Sequence, residues 1–442
     1  MIDLAPDRTA VTTRETRPYV LAAVAFAGYA AWSLNRLRTF DATGYDLGIF
    51  EQAVRSYAEG HWPTSDLLGP GRPTLGDHFH PILVLLVPFY LLWPSPACLL
   101  VAQAALFALS AVPVTRCAIR VLGARRGVVT GAGYVLSWGL LSALNFDFHE
   151  ICFAVPLLAF AAEALMLGRW REAVAWAVPL VLVKEDLPMT LAAVGVVLVV
   201  KGQKRLGWAV AAAGVATTAL LTLVVLPSLN TGAYAHATGL NPLGGPLVKL
   251  GLLLALFAPT AFAALRSPLA VVLVPTLLWR LTTGNASYWG VGYHYSAVLM
   301  PLVFIAALDG VHRFPPRWRT LLPACALVAG LGSLGFQGAH LTSGTWTPEQ
   351  RAGIDEVLAR IPDGATVAAS NQLAPRLTGR CRVLFFDRYP DQEVRPEWVV
   401  VARPELTWPS SPAEKEAKAA ELEKTDYVRV AGTDSVVLLH RG

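Results

Sequence analysis

The chain has 442 residues, of which 54% are hydrophobic and only 15% charged, with a mean hydropathy of +0.48. Soluble proteins carry about 25% charged residues, so the composition is that of a polytopic membrane protein rather than a soluble enzyme. The net charge of +5 then reads as loop asymmetry, and with no basic stripe interleaved with aromatics, nucleic acid is excluded as a partner.

Residues 1–17 form a polar tail with Arg8, Arg14 and Arg17, expected in the cytoplasm. The apolar run 18–34 follows without a small-residue cleavage motif, so it reads as an anchor rather than a cleaved signal. Next comes the outer loop 35–80, whose stretch 41–80 carries Asp41, Asp46, Glu51, Asp66, Asp77, His78 and His80. A polar, acidic interval of this length between membrane helices reads as a working part. Within it, 46–58 has Leu47, Phe50, Val54 and Tyr57 on one helical face and Glu51 and Arg55 at i,i+4, which predicts an interfacial helix on the outer leaflet.

Further apolar runs lie near 81–93, 96–115, 127–144, 151–167, 173–183, 187–200, 207–229, 247–265, 268–283, 295–310 and 319–337. A full span needs about 20 residues, so the positive-inside rule has to decide which of them cross. Placing Arg116–Arg126 inside requires 81–93 to be re-entrant or interfacial, since as a helix it reaches only about 20 Å. Placing Lys201–Arg205 inside requires 173–200 to be two short helices that turn at Lys184-Glu185-Asp186, with Pro179 and Pro188 beside the break. The outer face then collects 41–80, the turn Asn145–Glu150, Lys184–Asp186, the loop 230–246 with Tyr234 and His236, and 284–295 with Tyr288, His294 and Tyr295. The five cysteines (Cys98, Cys117, Cys152, Cys325 and Cys381) show no paired spacing, which supports neither a disulfide framework nor a thiolate zinc site.

Beyond 338 the pattern changes. Pro348 opens an amphipathic helix with Ile354, Val357, Leu358 and Ile361 on one face. Short β-rich runs follow at 365–369, 382–386, 397–402, 427–431 and 434–439, with a charged helix at 412–424. The expected architecture is therefore an all-α polytopic membrane domain over 18–337 and a small extracytoplasmic α/β domain over 338–442.

Several groups could carry chemistry, and each has a bland alternative. Asp46, at the start of 46–58, is either an N-cap or a general base aimed into a cavity. Asp77, His78 and His80 form either a polar re-entry loop or a site for a divalent metal or a phosphate, which Asp147, His149 and Glu150 could complete. Lys184, Glu185 and Asp186 are either a structural ion pair at a helix break or part of a polar cavity. Trp62, Trp93, Trp138, Trp279 and Trp289 read first as interface anchors.

Tyr45–Gln52, Gly76–Leu83, Asp147–Glu150, Lys184–Asp186 and His294-Tyr295, with Ile361-Pro362 through Ser370-Asn371 in the tail, resemble a bacterial family of predicted membrane proteins of unknown function. That family is distantly similar to the C-type (GT-C) glycosyltransferases. The likeness to lipid A aminoarabinose and protein mannosyl transferases rests on Asp46, Gly60-His61-Trp62 and His80-Pro81. In those enzymes the corresponding acidic residue lies where an acceptor hydroxyl attacks a sugar on a polyprenyl-phosphate donor. The chain departs from them in having Asp77, His78 and His80 where a lysine usually meets the phosphate, and Leu47 where a second acid often follows the first.

The resemblance implies a GT-C-like helical bundle in the bacterial plasma membrane and an inverting glycosyltransferase acting at its outer face. Asp46 would be the base, and Asp77, His78, His80, Asp147, His149, Glu150, Lys184, Glu185, Asp186, His294 and Tyr295 would bind substrate. From their residue types rather than from the resemblance, Asp77, His78 and His80 would be the ligands if a divalent metal takes part. The partners would be membrane lipid, a polyprenyl-phosphate sugar and a glycan, lipid or protein acceptor. The alternatives are a transporter or flippase of lipid-linked sugar, and a non-catalytic envelope protein.

Overall fold

Proline fixes φ near its helical value and needs no hydrogen-bond partner for a missing N–H, so it belongs in the first turn of a helix. In the computed structural model, prolines occupy that turn in helices Arg17–Arg38, Pro96–Leu122, Leu187–Val200 and Pro246–Phe257. The structure describes residues 15–230, 239–342, 345–388, 394–403 and 410–442. The expected loop positions Tyr234 and His236 lie outside them.

Among the described residues, five helices are long and apolar enough to cross a membrane: Arg17–Arg38, Pro96–Leu122, Ala124–Asn145, Lys204–Leu229 and Trp318–Ala339. Pro96–Leu122 and Ala124–Asn145 are mostly buried, whereas Lys204–Leu229 and Trp318–Ala339 are mostly exposed. The exposed pair turns Trp208, Leu223, Val328 and Phe336 outward, an apolar surface suited to lipid. Shorter apolar helices fill the space between, including Ala154–Met166 and Leu299–Gly310, whose residues are almost all buried. The run 81–93 forms a 3-10 turn, Pro81–Leu86, and a short helix, Val87–Leu92, with Leu85, Phe89 and Leu92 exposed.

The break expected near 184 is present. Helix Trp170–Ala177 tightens into a 3-10 turn at Val178–Leu182 with Pro179 in its first turn, and helix Leu187–Val200 starts after Asp186. The three charges therefore occupy a bend.

The C-terminal lobe is a five-stranded mixed sheet. Strand Thr366–Ala369 pairs in parallel with Arg382–Phe385 on one side and with Trp398–Ala402 on the other. Val436–Arg441 then runs antiparallel between Trp398–Ala402 and the outermost strand Tyr427–Gly432. Helices Pro348–Leu358 and Pro412–Leu422 each start with a capping box, Thr347 with Gln350 and Ser411 with Glu414, which satisfies two of the donors that a helix start leaves open. Ile354, Val357, Leu358 and Ile361 are buried in the lobe core, on the face expected from their spacing.

The segment 46–58 differs from expectation. Its helix is Ile49–Ala58, and instead of lying on a leaflet it is wedged between the bundle and the lobe. Phe50 and Val54 pack in the bundle core, while Ile49 packs in the lobe core. Gln52 Nε2 donates to the carbonyl of Val383 at 2.9 Å, and Arg55 donates to the carbonyls of Thr378 and Cys381. Glu51 is fully buried and accepts from the Tyr90 hydroxyl, while Arg55 pairs with Glu59 rather than with Glu51. The spacing identified the apolar face, but the opposite face is also covered, by a domain distant in sequence.

Candidate active site

Five sequence segments converge at the end of the bundle nearest the lobe. The first is the turn Gly44–Gly48, which leads from the first helix into Ile49–Ala58. Its π-type geometry is broken at Asp46, whose φ of 71° lies in the left-handed region, a conformation that costs a non-glycine residue free energy and clusters at functional sites. The lobe holds this turn. Gly44 N donates to the Asn371 carbonyl at 2.7 Å, Tyr45 N donates to Asn371 Oδ1 at 2.9 Å, and Gln372 Nε2 donates to the Phe40 carbonyl at 2.9 Å. A Cβ on Gly44 would meet the Ala374 Cβ at 2.6 Å, so glycine is what permits this approach.

Asp46 caps no helix, so the N-cap alternative falls. Its carboxylate makes no hydrogen bond or ion pair among the described residues. Burial, reinforced by the charges of Glu150 and Asp147, pushes its pKa up to about 8.

The second segment is Asn145–Glu150. Asp147, also at positive φ, accepts from Arg36 Nη2 at 3.1 Å and Nε at 3.3 Å, and from Thr43 N at 2.9 Å and Oγ1 at 3.2 Å. Gln103 ties down the same turn, donating to the Asp147 carbonyl and accepting from His149 N at 3.0 Å. Asp147 thus braces the turn of Asp46, and its carboxylate is already occupied. Glu150 is fully buried; it contacts His149 Nδ1 with one oxygen and Lys184 Nζ at 3.0 Å with the other.

The third and fourth segments are bound to one another. Glu185 Oε1 meets His78 Nδ1 at 2.7 Å, and its Oε2 accepts from Phe79 N at 3.0 Å. Asp186 accepts from Trp279 Nε1 at 3.1 Å, so this tryptophan is a site residue rather than an interface anchor. Buried His80 packs edge-on against Phe50, which also touches Phe148 and His149. The proposed metal set of Asp77, His78 and His80 is not assembled. The group of ligand atoms found close enough to share an ion among the described residues does not include them; His78 is drawn to Glu185 and His80 into the aromatic cluster.

The fifth segment carries His294 and Tyr295. The His294 ring stacks on that of His149, with centroids 3.4 Å apart, and Tyr295 packs against Tyr288. Arg280, fully buried, anchors the loop through the Tyr288 and Gly290 carbonyls and Ser296 Oγ at 2.8–2.9 Å. One ligand atom each from Asp46, His149 and His294 lies within 4.8 Å of the others. Sequence reasoning missed Arg36, Gln103 and Arg280, although a lone polar residue inside an apolar run is a usable signal.

Beside these loops opens a cavity of about 450 Å³. It is lined by the charged and polar side chains of His78, Lys184, Glu185, Asp186, Tyr288, His294 and Tyr295 and by the apolar side chains of Leu187, Met189, Pro275, Leu278 and Val298, with several threonines between them. Asp46, Asp77, His80, Asp147, His149 and Glu150 do not line it, and Asp46 approaches it only through His294, whose ring nitrogen lies within 4.8 Å of its carboxylate. A cavity lined by both kinds of side chain can hold a ligand with a charged and a hydrocarbon part.

The architecture matches that of ArnT from Cupriavidus metallidurans, solved bound to undecaprenyl phosphate. The TM-score is 0.62 at 15% identity, covering 96% of this chain and 98% of ArnT. The apo form of ArnT matches with a TM-score of 0.57, again at 15% identity, over 94% and 97% of the two chains. No curated protein matches the sequence. The expected C-type fold is thus that of ArnT, and since residues 36–438 match the predicted membrane protein family DUF2079, the chain belongs to that family.

Proposed function

We propose that the protein transfers a sugar from a polyprenyl-phosphate donor to an envelope acceptor at the outer face of a bacterial plasma membrane. The observation that carries this reading is a cavity lined by both charged and apolar side chains, one of which, His294, has a ring nitrogen within 4.8 Å of a carboxylate oxygen of Asp46, a residue of positive φ whose carboxylate makes no hydrogen bond among the described residues. The ArnT fold and the undecaprenyl phosphate bound to ArnT support it.

The donor phosphate would sit by Lys184 and His78, with its isoprenoid along Leu187, Met189, Leu278 and Val298. Lys184 has three N–H donors, so its contact with Glu150 leaves donors for the phosphate. The acceptor oxygen attacks the anomeric carbon, the bond from that carbon to the phosphate oxygen breaks, and the leaving phosphate takes the electron pair. Lys184 stabilises the charge that develops there, and Asp46 takes the proton of the acceptor. A carboxyl raised to about 8 is close to the optimum for a base working near neutral pH. The lobe, which holds the Asp46 turn, is the surface assigned to the acceptor.

The test is turnover by purified protein in nanodiscs with a panel of polyprenyl-phosphate sugars, scored by loss of donor sugar. The expected result is transfer by the wild type and loss of it in Asp46→Asn. Intact donor throughout, from a protein that binds polyprenyl phosphate, would overturn the reading in favour of a flippase.

A further inference from the structure

We infer that Asp46, His149 and His294 form a binding site for a divalent transition cation of the zinc type. Their three donor atoms already lie within 4.8 Å of one another. Two imidazoles and a carboxylate are the donor set that zinc takes in catalytic sites, whereas magnesium and calcium favour oxygen alone.

A second observation points to the same place. His294 is only 3% exposed, and among the described residues neither of its ring nitrogens has a hydrogen-bond partner. A buried imidazole pays for desolvation unless something meets its nitrogens. His149 shows the complementary feature. Its Nδ1 faces the buried carboxylate of Glu150, which leaves Nε2 for an ion, in the carboxylate–histidine–metal arrangement that fixes the tautomer and orients the ring.

Asp147, Glu150 and Glu185 are already matched by Arg36, Lys184 and His78, which leaves the Asp46 carboxylate as the negative charge that a cation would meet. The set differs from the one the sequence suggested. It takes one residue from each of three turns, and two of those turns are bent at a non-glycine residue of positive φ, Asp46 and Asp147, while in the third Tyr293 adopts the same conformation beside His294.

Three protein ligands leave coordination positions open for a water or substrate oxygen. Ligation keeps Asp46 deprotonated and lowers its basicity, so the raised pKa of the proposed base belongs to the zinc-free protein. The ion's catalytic role rests on the transferase reading above, but its binding does not.

The experiment uses the full chain in nanodiscs, stripped with chelator, reloaded with zinc, desalted and assayed for metal per protein. The expected result is one zinc per chain, retained by the surface control His61→Gln and lost in His294→Gln. His149→Gln serves as a second variant should His294→Gln fail to fold. Affinity should fall about 10–100-fold in Glu150→Gln, as for other outer-shell carboxylates. Cobalt loaded in place of zinc should give visible ligand-field bands that change in His294→Gln. Zinc that is not retained, or is retained equally by both histidine variants, overturns the site. One zinc per chain without sugar transfer leaves the site standing and sinks the transferase reading. Full transfer by the zinc-free protein keeps the transferase and overturns the ion's catalytic role.

Discussion

Two turns at the same end of the bundle each carry an aspartate in the left-handed region, and they are used differently. In Asn145–Glu150, both oxygens of Asp147 accept hydrogen bonds, from Arg36 and Thr43. In Gly44–Gly48, Asp46 has no such partner, and the lobe holds its backbone instead, through Asn371. A buried carboxylate whose acceptor sites are filled holds structure together, whereas one held only by its backbone remains available to a substrate or an ion. The contrast separates a brace from a reactive group, although both are acids in acidic, aromatic-rich loops.

The sharpest way to break the comparison is Asp46→Asn. It should lower turnover by about 10²–10⁴-fold, the usual worth of a general base, while thermal unfolding stays essentially unchanged. A large loss of stability would make Asp46 a brace after all. Next comes Lys184→Met, which leaves Glu150 buried without its cation and should cost about 3–5 kcal/mol, as well as transfer. Chemical denaturation checks this, and a stability change below about 1 kcal/mol would mean that water reaches Glu150. Asp147→Ala should have the opposite profile to Asp46→Asn, with a loss of about 1–3 kcal/mol from the stranded donors of Arg36 and Thr43. Pairing it with Arg36→Met in a double-mutant cycle should show non-additivity; additive losses would sever the brace. The smallest effect belongs to Asn371→Ala, about 1 kcal/mol for its hydrogen bond to Tyr45 N. Its signature should be a lower kcat with little change in KM, because the turn it holds carries Asp46.

Much of the frame was legible in the chain. The charged bend at Lys184–Asp186 followed from the positive-inside rule, since one helix over 173–200 would have put Lys201–Arg205 on the wrong side, and from Pro179 and Pro188 beside the break. The lobe's strands and capped helices followed from alternation and capping residues, which are local signals. The segments gathered at the site were also identifiable. The helix Ile49–Ala58 was misplaced because one covered face shows as a period, while a partner more than 300 residues away does not. Glu51 and Arg55 have the spacing of an ion pair, but Tyr90 and Glu59 compete for them.

The sequence by itself determined the apolar composition of the bundle, the alternation of the lobe and which polar segments were candidates for a site, because hydrophobic period, proline position and charge cost act over a few residues. Only the tertiary structure decided which partner each charged side chain takes. His78 goes to Glu185, His149 to Glu150, and Asp147 to Arg36. The ligand atoms that come within 4.8 Å of one another are consequently those of Asp46, His149 and His294, from three remote turns, rather than those of the sequence neighbours Asp77, His78 and His80. Side-chain pairing depends on distances of a few ångströms between remote turns, and no spacing along the chain encodes them.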